Sequence, residues 1–400
     1  MWRTYTGDTL TGLIDVPVDI PSFSWEMDIG DSSLSTTADK GFGADNVQSL
    51  TVPWTAVHCA DTPEARSEAL APGRRFVLVC WDDGSDPGSP GVPWLWGVIG
   101  QRTDTWTDTS FSLDSMMSLM ASRILVRENT FGRASGGTTQ DDIEFKGLSY
   151  RGIAANIITM ATSRKPGGAL PILNQYVGES GTRQKTYHGF NVMNNDVKKL
   201  LTAISNLEGG PDMTFRPELV DRTHVALRFV AGSDADRFLA QDSMFALSTF
   251  PGGGSMQDVS TAHAGPVMRV YGSGAGQDAA QLCVQAEDLS LVTRGNDPWP
   301  LVETAFSGSD DDKLEVLRSH TEAYLKANAR PILQVTGAVD LADPEVPKPG
   351  QWWPGELVQW RVVGHPTLPD GDYTLRLMRM SGTESTRVQL TFDVMPDPVY

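Results

Sequence analysis

The chain has 400 residues, enough for two to four domains at roughly 100–200 residues each and for sizeable buried cores. Apolar residues make up 40% and charged residues 20%, which excludes general disorder, and no apolar run approaches the ~20 residues of a membrane-spanning helix. Fifty acidic against thirty-two basic residues leave a net charge of −18, which disfavours a grip on a nucleic-acid backbone or an anionic membrane surface.

The opening run Met1-Trp2-Arg3-Thr4-Tyr5-Thr6-Gly7-Asp8 has no apolar stretch, so no secretory leader is expected. Residues 1 to about 120 read as strands and turns, with glycine and proline frequent at 39 and 25 in the whole chain. Arg75 to Trp81 is an apolar strand, Asp82 to Gly91 a long turn, and Trp94 to Gly100 the returning strand. Trp106 to Leu113 alternates with a period of two, which predicts a further strand from Trp106 onward.

The middle changes character. Ile143-Glu144-Phe145 reads as a short strand. Ser149 to Ser163 carries Ile153, Ile157, Ile158 and Ala161 on one helical face. A second helix has Asn194 or Asn195 as its cap, the stripe Val197, Leu200, Leu201, Ile204 and Leu207, and a stop at Gly209-Gly210-Pro211. Met213 to Leu219 and His224 to Val230 form a strand pair, with Val225, Leu227 and Phe229 on one face. Pro251 to Ser255 reads as a linker, and Val267 to Tyr271 as a strand. A last helix near 310–329 starts at the acids Asp310-Asp311-Asp312, with Leu314, Leu317, Tyr324 and Leu325 as its stripe. From Ile332 the chain returns to strands.

Two hairpins share a grammar. Pro72-Gly73 leads into Phe76 to Val79, a turn with Asp83-Gly84, then Trp94 to Ile99. Pro354-Gly355 leads into Leu357 to Val362, a turn with Asp370-Gly371, then Tyr373 to Leu377. Pro-Gly turns the chain into a strand, and Asp-Gly is expected to supply a positive φ. Duplication and chance likeness of two β hairpins both fit. The architecture expected is mainly β with an α+β insertion: a first barrel over 1–120, the insertion over 121–250, and a second barrel over 251–400. Trp96, Gly97, Trp353, Pro354 and Gly355 are the expected structural residues. The tryptophans Trp81, Trp94, Trp96, Trp106, Trp352, Trp353 and Trp360 either fill cores and subunit contacts or expose a sugar-binding row, and packing is the expectation.

Motifs for chemistry are sparse. Cys59, Cys80 and Cys283 form no Cys-x-x-Cys pair, which suits a reducing cytoplasm, and Cys80 reads as a core residue. His58, His188, His224, His263, His320 and His365 form no metal-binding cluster. His58-Cys59 reads as strand packing and Gly272 to Gly276 as a loop without the P-loop lysine. Asp82 to Asp86 alternates oxygens but lacks the closing Glu of an EF-hand. No catalytic residue, cofactor or metal site is expected.

Three sets of residues, in order, carry a family resemblance. They are Ser24-Trp25-Glu26-Met27 with Pro72-Gly73-Arg74 and Trp96-Gly97-Val98-Ile99; Glu208-Gly209-Gly210-Pro211-Asp212 with Phe215-Arg216-Pro217; and Trp353-Pro354-Gly355-Glu356-Leu357-Val358 with Leu368-Pro369-Asp370-Gly371. Over about residues 20 to 395 the chain resembles the tail hub (baseplate-hub or minor tail) proteins of long-tailed phages, particularly those of actinobacteria. Residues 255 to 310 match no pattern of that family. The resemblance implies a homotrimer whose two tube-like barrels per chain make a pseudo-sixfold ring at the tail tip. It implies distal tail, tail-tip and tape-measure proteins as partners, DNA only in transit through the lumen, no membrane binding, and assembly in the host cytoplasm. With the sequence running to Tyr400, no appended lytic domain is expected. A tail-tip cell-wall hydrolase and a receptor- or glycan-binding tail module stand as the alternatives.

Overall fold

The computed structural model describes residues 1–30, 32–35, 49–134, 136–139, 141–207, 209–241, 243–276, 278–309, 311 and 313–396. Strands make up 41% of it and helices 15%, so the mainly β class with an α+β segment holds. The chain divides into two units. The first comprises Met1–Leu247, Ala338–Gln359 and Arg376–Leu390; the second comprises Ser248–Gly337, Trp360–Leu375 and the stretch from Thr391.

In the first unit a six-stranded sheet runs in the order Ile14–Pro17, Trp2–Asp8, Arg75–Trp81, Val92–Asp104, Asp108–Asp114, Ser49–Pro53. Every residue of Arg75–Trp81 is buried, as a continuous apolar run between covered faces should be. Its antiparallel register with the returning strand slips between Val79 and Cys80: Val79 faces Leu95 and Cys80 faces Pro93. Trp94 is therefore the extra residue of a bulge, a device that re-aims a side chain. The expected strand from Trp106 begins later, at Asp108. Thr105 to Thr107 form the turn instead, because the Thr105 amide donates to the Asp108 carbonyl at 2.8 Å.

The helices of this unit follow their apolar stripes. Tyr150–Ala161 is capped by Ser149, whose Oγ accepts from the Gly152 amide at 3.0 Å. Val197–Ser205 buries Val197, Leu200, Leu201 and Ile204, while Leu207 lies past its end. Its cap is Asp196 and neither asparagine: the carboxylate accepts from the Lys199 amide at 2.9 Å, whereas buried Asn195 donates to the His188 carbonyl at 3.0 Å. Glu208, just before the expected stop at Gly209-Gly210-Pro211, lies outside the described residues. Ile143–Leu148 pairs antiparallel with Ser180–Tyr187. Met213–Leu219 pairs antiparallel with Val225–Ala231, and Val225, Leu227 and Phe229 are buried on one face. Both helices, these strands and one face of Arg75–Trp81 share a single core.

An eight-stranded sheet takes the order Phe245–Thr249, Leu357–Val362, Gly371–Thr383, Arg387–Pro396, Ile332–Asp340, Gln257–Ala264. Ser24–Asp28 joins it, pairing antiparallel with Arg379 to Thr383, and Ser32–Ser35 pairs with Ser24–Asp28.

In the second unit Arg269–Ser273 lies between Cys283–Glu287 and Glu303–Ser307, two residues later than the strand expected at Val267. The helix Leu314–Asn328 packs Leu325 with Val270 and Ala286. Its buried stripe is Leu317, Thr321 and Leu325, one i, i+4 row; Leu314 and Tyr324 are exposed. Asp311 lies just before the helix start and is not its cap. Lys313 precedes the first turn, and Asp311 accepts from His320 Nδ1 at 2.9 Å; Asp310 and Asp312 lie outside the described residues. Pro251 to Ser255 is a tight turn, not a free linker. Gly252 and Gly254 take φ values of 83° and 111°, and the Ser248 amide donates to Ser255 Oγ at 3.0 Å.

Candidate functional site

Trp353, Pro354, Gly355 and Glu356 form one β-turn. Proline stands at its second position and glycine, with φ 97°, at its third, the requirements of a type II turn. The Glu356 amide donates to the Trp353 carbonyl at 3.3 Å. The Glu356 carboxylate closes the turn again, accepting from the Trp353 amide at 3.2 Å. The other carboxylate oxygen accepts from Arg216 Nη1 at 3.0 Å. Glu356 is buried and Arg216 nearly so. The guanidinium also lies over the Trp353 ring, 5.2 Å from its centroid.

Trp353 stacks on Trp94 with centroids 4.9 Å apart and planes at 29°. From there an aromatic seam runs through edge-on contacts: Trp94 to Trp25 at 5.7 Å, Trp25 to Trp2 at 6.2 Å, Trp2 to Trp81 at 4.8 Å. Trp2 and Trp25 donate their indole N–H groups to the carbonyls of Ser385 and Thr383. The Nε1 groups of Trp81, Trp94, Trp96 and Trp352 are buried without a hydrogen-bond partner among the described residues. Each costs about 1–3 kcal/mol, so burial of the rings must outweigh that loss. The seam ties the N-terminal strand, the first hairpin and the C-terminal turn into one packed unit.

The expected site residues are thus partly brought together. Trp96 is buried against Phe76 at 5.8 Å, and Gly97 sits opposite Val77, where a Cβ would stand 3.1 Å from Leu113 Cβ. Trp94, Trp96, Trp353, Pro354 and Arg216 line one cavity of about 30 Å³. That is roughly the share of one liquid water, far below the ~300 Å³ of the smaller ligand pockets. The site is built to join elements. Gly355 shows how tightly: a Cβ there would lie 2.8 Å from Leu239 Cδ1 at a φ that side chains avoid. Gly355→Ala should cost about 1–3 kcal/mol, read as a lowered urea midpoint with unchanged slope.

Of the other tryptophans expected to pack, Trp81, Trp352 and Trp360 are buried, but Trp106 is fully exposed. Burial pushes the Cys80 thiol well above its ordinary range, as suits a core cysteine. His58 turns to Asp19 at 2.5 Å. Asp82 pairs with Arg3 at 2.6 Å and caps the Gly84 amide, which takes its carboxylate out of any cation-binding loop. Among the described residues no three His, Cys, Asp or Glu side chains converge as a metal site, and no helix is long and apolar enough to cross a membrane. Arg216, Glu356 and Trp25 entered the sequence reading only within the motifs of the family resemblance, and Trp2 had no packing role there. The available signal for the first was a cation flanked by Phe215 and Pro217.

The two hairpins also match in detail. Gly73 (φ 71°) donates its amide to Ile99 at 2.7 Å, and Gly355 donates to Leu377 at 2.6 Å. One residue separates each glycine from its outgoing strand, and each returning strand, Val92–Asp104 and Gly371–Thr383, has 13 residues. The loops differ. Gly84 has the expected positive φ of 81°, but Gly371 does not; Gly364, at 69°, takes that role, its amide held by Asp370 at 2.6 Å.

Comparison with solved structures finds this architecture at full length. The 43 kDa tail protein of prophage MuSo2 from Shewanella oneidensis matches at 9% identity over 98% of this chain and 98% of its own, with a TM-score of 0.50. The fold is shared with a phage tail protein. A tail protein from Neisseria meningitidis MC58 matches at 10% identity over 98% of this chain and 96% of its own, with a TM-score of 0.47. A prophage tail protein from Listeria monocytogenes EGD-e matches at 11% identity over 99% and 95%, with a TM-score of 0.41. No family profile and no curated relative matches the sequence.

Proposed function

We propose that this chain is the structural tail-tip hub of a long-tailed phage of the kind that infects actinobacteria. Three copies form a ring that joins the tail tube to the tip and passes DNA during genome ejection. The observation that carries this reading is the fold shared over 98% of both chains with a prophage tail protein. The matched hairpins add to it, since two related sheets in one chain let three copies meet a sixfold tube. The segments 1–120 and 251–400 supply the two tube-like elements, and 121–250 is the insertion between them. The role is structural, not enzymatic. The Trp96-Gly97 strand and the Trp353-Pro354-Gly355 turn brace the hub, with tape-measure, distal tail and other tail-tip proteins as neighbours.

The charge of −18 bears on passage. Duplex DNA carries about one negative charge per 1.7 Å of axis, and cations along a lumen would hold it through released counterions. Carboxylates should therefore outnumber Lys and Arg on the lumenal face. Electron microscopy of intact virions tests both points. The expected result is three copies at the tail tip around an acidic lumen. Six copies in the ring, or a location off the tail, overturns the hub; a basic lumen overturns the passage argument.

A further inference from the structure

We propose that residues 267–329 form a module that opens and recloses as one unit while the sheet carrying it stays folded. Opening bares the apolar side chains Val270, Leu317 and Leu325, and reclosing hides them. This holds whether or not the chain is a hub. The module sits between Gln257–Ala264 and Ile332–Asp340, which are neighbours in the eight-stranded sheet. At its base the Val267 amide donates to the Asn328 carbonyl at 2.7 Å, so the chain enters and leaves at one place. Opening beyond that clasp asks no strand of the larger sheet to part.

Little holds the module closed. Among the described residues its buried apolar side chains are Met268, Val270, Ala286, Leu317 and Leu325. A core that small gives a segment of this length little stability of its own. Leu314–Asn328 buries three of its fifteen residues, whereas Tyr150–Ala161 buries seven of twelve. Lys313, at its N-cap, makes no capping bond, so its first turn lacks the support that Ser149 gives the other helix. Among the described residues Cys283–Glu287 and Glu303–Ser307 each pair with Arg269–Ser273 alone. Asp288 to Val302 has neither helix nor strand and buries no side chain. Sparse burial and irregular backbone are the marks of a low local opening energy. The closed form is still a specific one, because the helix row sits directly on glycines. A Cβ at Gly272 would lie 2.1 Å from Thr321 Oγ1, and one at Gly274 would lie 2.9 Å from Leu317 Cδ2. Asp311 ties the helix to that glycine loop: its carboxylate accepts from His320 Nδ1 at 2.9 Å and its carbonyl from the Ala275 amide at 3.0 Å. One close-fitting row, made or lost together, gives two states in place of gradual loosening.

Hydrogen exchange of the full chain, read by mass spectrometry under native conditions, tests this. Arg269–Ser273 and Leu314–Asn328 should exchange together, about tenfold or more faster than Ile332–Asp340 and Tyr150–Ala161. Gly272 has no positive φ, so Gly272→Ala disturbs only the seat of the helix and its neighbour Val284. It should speed both module segments by a further factor of about ten or more and leave Ile332–Asp340 and Tyr150–Ala161 unchanged. Leu325→Ala, at the other end of the row, should do the same through a lost core contact. Equal protection in the module and in Ile332–Asp340 overturns the proposal. So does a helix that exchanges well ahead of Arg269–Ser273, which is fraying of one element. Variants that speed Ile332–Asp340 as much as the module also overturn it, because the chain then unfolds as a whole.

Discussion

Trp353→Ala should destabilise the first unit by about 3–5 kcal/mol, the range for removing a large buried aromatic. The ring stacks on Trp94 and covers the Arg216 guanidinium, so its loss opens a hole that the type II turn holds apart. Gly355 cannot shift inward, because Leu239 already fills that side. Trp96→Ala belongs to the same range, through its contact with Phe76. Urea unfolding followed by tryptophan fluorescence measures both. A loss below about 1 kcal/mol for Trp353→Ala would show that the seam carries little of the stability, against the packing seen here.

Arg216→Met should cost about as much, roughly 3–5 kcal/mol, for a different reason. It takes the Arg216 cation away from the buried Glu356 carboxylate, and removing one partner of a buried ion pair is the costly way to break it. Replacing both partners, Arg216→Met with Glu356→Gln, should restore part of that loss, because the second change removes the charge. The double-mutant cycle reads the coupling directly. Additive single losses would mean that the two side chains act apart from each other despite their 3.0 Å contact.

These expectations mark what could be read without a structure. Arg75 to Trp81, the helices at Tyr150–Ala161 and Val197–Ser205, and the Met213–Leu219 strand pair were legible because periodicity is local. A helix or strand face repeats within a few residues, and burial follows the repeat. Helix starts were less legible. Asp196 and the two asparagines before it are all good caps in isolation; only the turn at His188 and Leu125 engages Asn195 and leaves the cap to Asp196. The positive φ expected at Gly371 moved to Gly364 for a similar reason, since Asp370 holds the Gly364 amide instead.

By itself the sequence determined a mainly β chain with a helical middle, two hairpins of one grammar, an acidic balance, and a Trp-Pro-Gly turn. Tertiary structure decided which tryptophans meet. Trp2, Trp25, Trp94 and Trp353 come from distant stretches, and their seam depends on Ser24–Asp28 pairing with Arg379 to Thr383 and on the bulge that re-aims Trp94. Trp106 has the same chemistry and a strand-like period, yet it stands in water, because the Thr105–Asp108 hydrogen bonds make a turn where the alternation implied a strand. Side-chain chemistry is a property of one residue, whereas burial belongs to everything that closes over it.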